Sequence, residues 1–221
     1  MLREKIDNRD EWLEARMNGI GASESAVTMG LSPFMSIDEL YDIKTRRVIP
    51  KDISDKPCIQ YGIKAEPLIR SFVEMDFPYY QVNYHATDIL HHSRYPFIMA
   101  TLDGELIDTR NGKKGVLEIK SGSFRRNSDL EKWDNGQIPI YYYTQVCQQL
   151  AVTGWDFALV AAKITRQPFN DDMLPKVEWR YVYIDAKDAN VISSMQAVMR
   201  ADIKFLNCVQ QNIRPSTILR F

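Results

Sequence analysis

The sequence predicts a mixed α/β fold, a central β-sheet flanked by helices. Two observations carry this. Apolar residues recur at helical spacing early in the chain, shift to short strand-like runs between Tyr79 and Lys120, and return to helical spacing from Ile138 to Val152 and beyond Asp185. The runs also come in a telling order: helices, a strand meander, a helix, a strand pair and a last helix, which places helices against a shared sheet. With 221 residues, 45% hydrophobic and 26% charged, the chain has the size and apolar content of one globular domain spanning 1–221.

The first helix is expected over Asp10–Met17, where Trp12, Leu13 and Arg16 fall at helical spacing. A short second helix follows over Ser23–Met29, with Ser23 in the position of an N-cap and Gly30 at the end. Ser36-Ile37-Asp38-Glu39 has the form of a capping box and opens a third. Arg46–Pro57, with two prolines and many charges, reads as an exposed loop or minor boundary. Ile59–Met75 is helical in pattern, and Pro67 inside it predicts a kink or a late start.

Strands are expected at Tyr79–His85, Phe97–Thr101, Gly104–Ile107 and Val116–Lys120, with Asn111-Gly112 as the hairpin turn between the last two. Ile138–Val152 reads as a helix with Pro139 near its first turn. Phe157–Lys163 and Val177–Ile184 read as strands, and Asp185 as the cap of an amphipathic helix reaching about Gln211. The Met195/Met199 spacing in that helix reads as core packing.

Composition excludes several classes. No stretch approaches the roughly 18 apolar residues of a membrane-spanning helix, and the charged Met1–Asp10 segment lacks a signal-peptide core. Cys58, Cys147 and Cys208 are odd in number and far apart, which argues against a zinc finger or iron–sulfur site and for a reduced, cytoplasmic protein. The net charge of −1 does not advertise nucleic-acid binding. The basic pairs Arg46-Arg47, Lys113-Lys114 and Arg125-Arg126 read as solvated turns more often than as contacts. His85, His91 and His92 read as a solvated strand edge and loop rather than a metal cluster.

The sharpest signal is Asp103 followed by Glu118-Ile119-Lys120. Side chains alternate along a strand, so Glu118 and Lys120 share one face while Leu117 and Ile119 point the other way. Asp103 reaches the same face if its strand pairs through the hairpin. Two carboxylates are hard oxygen ligands for Mg²⁺, and a neighbouring lysine can orient a water, deprotonate it as the neutral amine, or as the ammonium stabilise developing negative charge. As a bare pattern, Glu-x-Lys also describes a surface salt bridge. Two further residues extend the set: Glu66 in Tyr61-Gly62-Ile63-Lys64-Ala65-Glu66, before the meander, and Gln145 in Tyr142-Tyr143-Thr144-Gln145, after it.

Taken together these segments resemble the lambda exonuclease family, the YqaJ-type viral recombinases of the PD-(D/E)XK nucleases. The resemblance covers about Arg9 to Ala162. It is carried, in order, by Trp12-Leu13-Glu14-Ala15-Arg16 running into Gly21-Ala22-Ser23, Gly62 to Glu66, Thr101-Leu102-Asp103-Gly104, Leu117-Glu118-Ile119-Lys120 and Tyr142-x-x-Gln145. Leu102 stands where the fold's name has proline, and no motif is recognisable after about Pro168.

The resemblance implies a restriction-endonuclease-like core and a Mg²⁺-dependent 5′→3′ exonuclease on double-stranded DNA. Such an enzyme releases 5′-mononucleotides and leaves 3′ single-stranded overhangs. It implies Asp103, Glu118 and the Ile119 carbonyl as metal ligands, Glu66 at a second ion or the nucleophilic water, Lys120 as the catalytic lysine and Gln145 as support. Tyr142 lines the site, and Arg16, Ser23 and Thr101 cradle the 5′-phosphate. Two Mg²⁺ ions are expected, with Mn²⁺ able to substitute. A ring-shaped homotrimer on DNA ends, a single-strand annealing partner and a phage or prophage origin in a bacterial host follow from the same resemblance. An endonuclease of the same fold and a catalytically inactive DNA-binding protein are the alternatives.

Overall fold

The computed structural model describes residues 1–168 and 174–215. Its scaffold is a five-stranded mixed sheet in the order β3-β6-β7-β8-β9, formed by β3 (Tyr80–Asn83), β6 (Gly104–Asp108), β7 (Lys114–Phe124), β8 (Phe157–Arg166) and β9 (Lys176–Asp185). Pairing is antiparallel except between β7 and β8, whose parallel ladder runs from Gly115↔Phe157 to Phe124↔Arg166. Parallel neighbours need a crossover. Here it contains α5 (Asn127–Leu130), a 3₁₀ turn (Glu131–Trp133) and α6 (Ile140–Thr153).

The sheet is covered on both faces. On one, Leu117, Ile119, Leu159 and Ala161 pack against Ala65, Ile69 and Val73 of α4 (Pro57–Asp76). On the other, Val116, Ala158, Val160 and Val182 pack against Val146 and Leu150 of α6 and Val191 of α7 (Ala189–Gln210). Double coverage explains the buried run Gly115–Ile119 in the middle of β7. Gly115 is needed there, because a Cβ at that position would lie 2.3 Å from the Phe157 ring.

A second, four-stranded sheet has the order β1-β4-β5-β2, from β1 (Leu2–Glu4), β4 (Ile89–His91), β5 (Ile98–Ala100) and β2 (Ile20–Gly21). It packs through Leu90, Ile98 and Ala100, together with Ala22 just after β2, against Val152 of α6. Beside it lie α1 (Arg9–Met17), a 3₁₀ turn (Ala22–Glu24), α2 (Ser25–Thr28) and α3 (Ile37–Lys44). Ile20, Val27, Leu40 and Tyr41 close around Phe205 and Leu206 of α7.

Several element expectations hold. Ser36 and Glu39 form the reciprocal capping box of α3, and Gly112, at φ +74°, makes the turn between β6 and β7. Met195 and Met199 pack against the core. Others are corrected. Asp188, not Asp185, caps α7, its side chain accepting the Asn190 and Val191 amides. Asp185 instead accepts the Lys187 amide in the turn before it. Ser23 is no N-cap, because it lies inside a 3₁₀ turn whose cap is Gly21. Pro139 does lie near the first turn of α6, as its N-cap residue, and the helix begins at Ile140 rather than Ile138. The helix containing Pro67 starts early rather than late: Pro57 occupies its first turn, where a missing amide costs nothing, and the helix runs on through Pro67. All four strands of the smaller sheet are two or three residues long, too short to show alternation, and none of the expected strands covers β1, β2 or β4. Among the described residues no helix is long and apolar enough to cross a membrane.

Candidate active site

Asp103 closes the connection from β5 to β6, and Glu118 and Lys120 share the face of β7 turned toward α6. The strands β6 and β7 pair with Gly104 opposite Leu117, which brings Asp103 to the Glu118–Lys120 rung. The Ile119 amide donates to Asp103 Oδ2 at 2.7 Å, locking the carboxylate to the strand that carries the other two groups. Glu118 is buried and forms an ion pair with Lys120.

The helix α6 supplies the polar complement of Glu118. Gln145 Nε2 donates to Oε1 at 2.6 Å and Gln149 Nε2 to Oε2 at 2.5 Å. Residues four apart lie on one helix face, so the two amides grip both oxygens of one carboxylate. Gln145 accepts from Lys120 Nζ at 3.3 Å through its own oxygen, and Gln149 also donates to the Thr101 carbonyl at 3.2 Å. The Tyr142 ring lies 4.7 Å from the Lys120 ammonium, a cation–π distance.

From the opposite side α4 contributes Glu66. Arg70, one turn later, donates to Glu66 Oε1 at 2.5 Å and to the Asp103 carbonyl at 2.8 Å, and stacks 3.7 Å from the Tyr84 ring centroid. One guanidinium thus ties the helix carboxylate to the strand carboxylate's own backbone.

The electrostatics are those of carboxylates crowded together. Desolvation, then the Glu118 charge, push the Asp103 carboxyl well above its usual range against the pull of Lys120. Glu66 is raised by burial against the pull of Arg70, with Glu118 adding to the rise. For Lys120, burial works toward the neutral amine, but Glu118 and Asp103 outweigh it and hold the ammonium above its ordinary range. No trio of His, Cys, Asp or Glu side chains among the described residues is placed to hold a metal alone. A carboxylate pair does converge, and Mg²⁺ is commonly held by one or two carboxylates with water and phosphate oxygens filling the remaining positions. The mutual repulsion of Asp103 and Glu118 is the feature a cation relieves, so this donor set fits Mg²⁺.

Glu66, Asp103, Glu118, Lys120 and Gln145 therefore come together, with Tyr142 on Lys120 and Thr101 joined through Gln149. Arg16 and Ser23 form a second group: Arg16 Nη2 donates to Ser23 Oγ at 3.1 Å, and the guanidinium lies 4.5 Å from the Trp12 ring centroid. Glu14, two residues before Arg16, pairs with Arg46. Sequence reasoning missed Gln149 and Arg70. Both were signalled by position, each lying four residues beyond a residue already singled out.

A mixed sheet covered on both faces, with an aspartate entering one strand and Glu-x-Lys on its neighbour, defines the restriction-endonuclease-like PD-(D/E)XK architecture. The chain is similar in fold to the alkaline exonuclease LHK-Exo from Laribacter hongkongensis, at a TM-score of 0.57 and 20% identity over 92% of this chain and 98% of that one. The same enzyme in complex with dAMP gives a TM-score of 0.58, 19% identity and the same coverage. A phage-related exonuclease from Haemophilus somnus 129PT matches at a TM-score of 0.53 and 12% identity, over 88% of this chain and 96% of that one. In sequence the chain is 31% identical over 150 residues to the uncharacterized protein YqaJ of Bacillus subtilis (strain 168), covering 68% of this chain and 44% of that protein. It thus spans less than half the length of this relative. The family model of the YqaJ-like viral recombinase domain matches residues 11–156, and the chain belongs to that family.

Proposed function

We propose that the protein is a Mg²⁺-dependent 5′→3′ exonuclease on double-stranded DNA, releasing 5′-mononucleotides and leaving 3′ single-stranded overhangs. The observation that carries the reading is the convergence of Asp103, Glu118 and Lys120 on one rung, with both Glu118 oxygens held by α6. Fold relatives that are exonucleases, one of them crystallised with the mononucleotide dAMP, support it.

In this reading Asp103, Glu118 and the Ile119 carbonyl would hold one Mg²⁺, with Glu66 toward a second, and Mn²⁺ could substitute. Bound there, the ions supply Lewis-acid polarisation of the scissile phosphate. Lys120 presents its ammonium beside the carboxylates, where it stabilises negative charge as it develops on the phosphoryl oxygens. Gln145 fixes the Lys120–Glu118 pair by contacting both partners. Tyr142 shields the lysine from water on one side. Arg70 holds Glu66 against the Asp103 backbone, so the α4 carboxylate stays in register with the strands. Arg16 and Ser23, with Thr101, receive the 5′-phosphate of the DNA end, a guanidinium and hydroxyl being suited to phosphate oxygens. The family also suggests a homotrimeric ring around DNA and a single-strand annealing partner acting with it in a phage-infected or lysogenic bacterial cytoplasm.

Linear duplex labelled at its 5′ or 3′ ends, incubated with Mg²⁺ or with EDTA beside a closed circle, tests this. The expected result is Mg²⁺-dependent release of the 5′ label as mononucleotide, with the 3′ label on long strands and the circle intact. Nicking of the circle would transfer the claim to an endonuclease. No cleavage of either substrate would leave a DNA-binding protein.

A further inference from the structure

Behind the Arg16–Ser23 pair lies a charged group that the catalytic reading does not use. Lys44, the last residue of α3, has a side chain only 3% exposed. Its ammonium reaches two partners. It pairs with Glu24 Oε2 at 2.9 Å and donates to the Arg16 backbone carbonyl at 2.9 Å. The same Glu24 oxygen accepts the Gly21 amide at 2.9 Å.

Three separate segments therefore meet at one ion pair, with the lysine buried and the glutamate partly so: the end of α1, the Gly21–Glu24 turn and the end of α3. The first two carry Arg16 and Ser23. Arg16 lies against the turn itself, since a Cβ on Gly21 would be 3.2 Å from its Nη2. Burial pulls Lys44 below its ordinary range while Glu24 pulls it back. A buried lysine is costly unless paired and hydrogen-bonded. Stability alone gives little reason to put a charge here, because apolar residues of similar volume often serve as well as a buried ion pair. What such a pair adds is direction: it fixes the α1 backbone relative to the turn.

We propose that Lys44, through Glu24, is a positioning residue for recognition of the DNA 5′ end. It holds the Arg16 backbone against the Gly21–Ser23 turn, so that guanidinium and hydroxyl form one preformed anion contact. This rests on the reading of Arg16 and Ser23 as the contact for the terminal phosphate.

The test compares rates on matched linear duplexes with 5′-phosphate and 5′-hydroxyl ends. Within one preparation their ratio is independent of how much protein is folded, so a purely structural role would not move it. Arg16→Ala calibrates the pocket: losing charge-assisted bonds should lower the ratio about tenfold or more. Lys44→Met is expected to lower the ratio at least about fivefold, mainly through a higher KM for phosphorylated ends. If Lys44→Met does not fold, the double replacement Lys44→Met with Glu24→Gln keeps an acceptor for the Gly21 amide, leaves no unpaired buried charge, and should show the same loss. A ratio within twofold of wild type in the folded Lys44 variant, while Arg16→Ala shifts it, would overturn the positioning role alone. An unshifted ratio in Arg16→Ala would overturn the phosphate contact, and this inference with it.

Discussion

At the residue scale, Glu118 organises the site, and its environment predicts what each neighbour does. Lys120→Ala should leave folding and DNA binding largely intact and abolish cleavage, read by circular dichroism, gel shift and nucleotide release; retained cleavage would remove Lys120 from the chemistry. Gln149→Leu is a different kind of change. It strips a donor from a buried carboxylate oxygen and from the Thr101 carbonyl at once. The expected cost is about 1–3 kcal/mol of stability, seen as a lower Tm, with a larger loss in kcat than in KM. Asp202 of α7 offers a test away from the site. It is fully buried, the Thr28 hydroxyl lies 2.5 Å from its Oδ1 and 2.9 Å from the Ser25 carbonyl, and Oδ2 has no partner among the described residues. One hydroxyl proton cannot serve two acceptors, so both contacts are made only when Asp202 is the protonated acid. Burial pushes its carboxyl up to about 8. A raised acid favours the fold below its unfolded value near 4, and that advantage is lost as pH rises to about 8, at roughly 1.4 kcal/mol per unit. Asp202→Asn should therefore gain stability over wild type progressively from pH 5 to 8 and level off above. A constant difference in denaturant midpoint across that range would show that Asp202 does not titrate there.

At the scale of elements, the site depends on how closely β8 lies beside β7. Gly115 lets the Phe157 ring cross the start of that parallel ladder, so Gly115→Ala should overpack the sheet and cost about 1–3 kcal/mol, measured by chemical denaturation; an unchanged midpoint would mean that the ring moves aside freely. Long elements were legible because their periods are long enough to count. The helices α4, α6 and α7 and the strands β7 to β9 all appear near their expected places, although several ends differ. The ends depend on single contacts, such as the choice of Asp188 over Asp185 as cap, that no periodicity encodes. The short strands of the smaller sheet are held by their partners and by Gln148, whose Nε2 donates to the Ile20 and Met99 carbonyls, a tertiary fact absent from local pattern. In the site, Asp103, Glu118, Lys120, Glu66 and Gln145 were legible because chemistry restricts their type and order. Arg70 and Gln149 act on those residues rather than on any motif of their own, and Lys44–Glu24 joins segments twenty residues apart.

At the scale of the molecule, a net charge of −1 has to be reconciled with the proposed DNA substrate. Many surface cations are already paired, including Arg3 with Asp88 and Glu105, Arg46 with Glu14 and Arg214 with Asp38 and Asp42. Enclosure by a ring would retain DNA without a strongly basic surface. The expected solution mass is accordingly three times the 25.6 kDa of one chain, measured by light scattering; a single-chain mass at working concentration would count against enclosure.

The consecutive glutamines of α6 carry one more consequence. Gln148 grips the small sheet at Ile20, one residue before the Gly21–Ser23 turn, while Gln149 grips Glu118. On the proposed function, the place that receives a strand's end and the place that severs it would thereby be bolted to adjacent residues of one helix. Such a helix would act as a ruler: it would set how far from its end a strand is cut, and so make the length of the fragment a property of the helix rather than of the DNA sequence passing through.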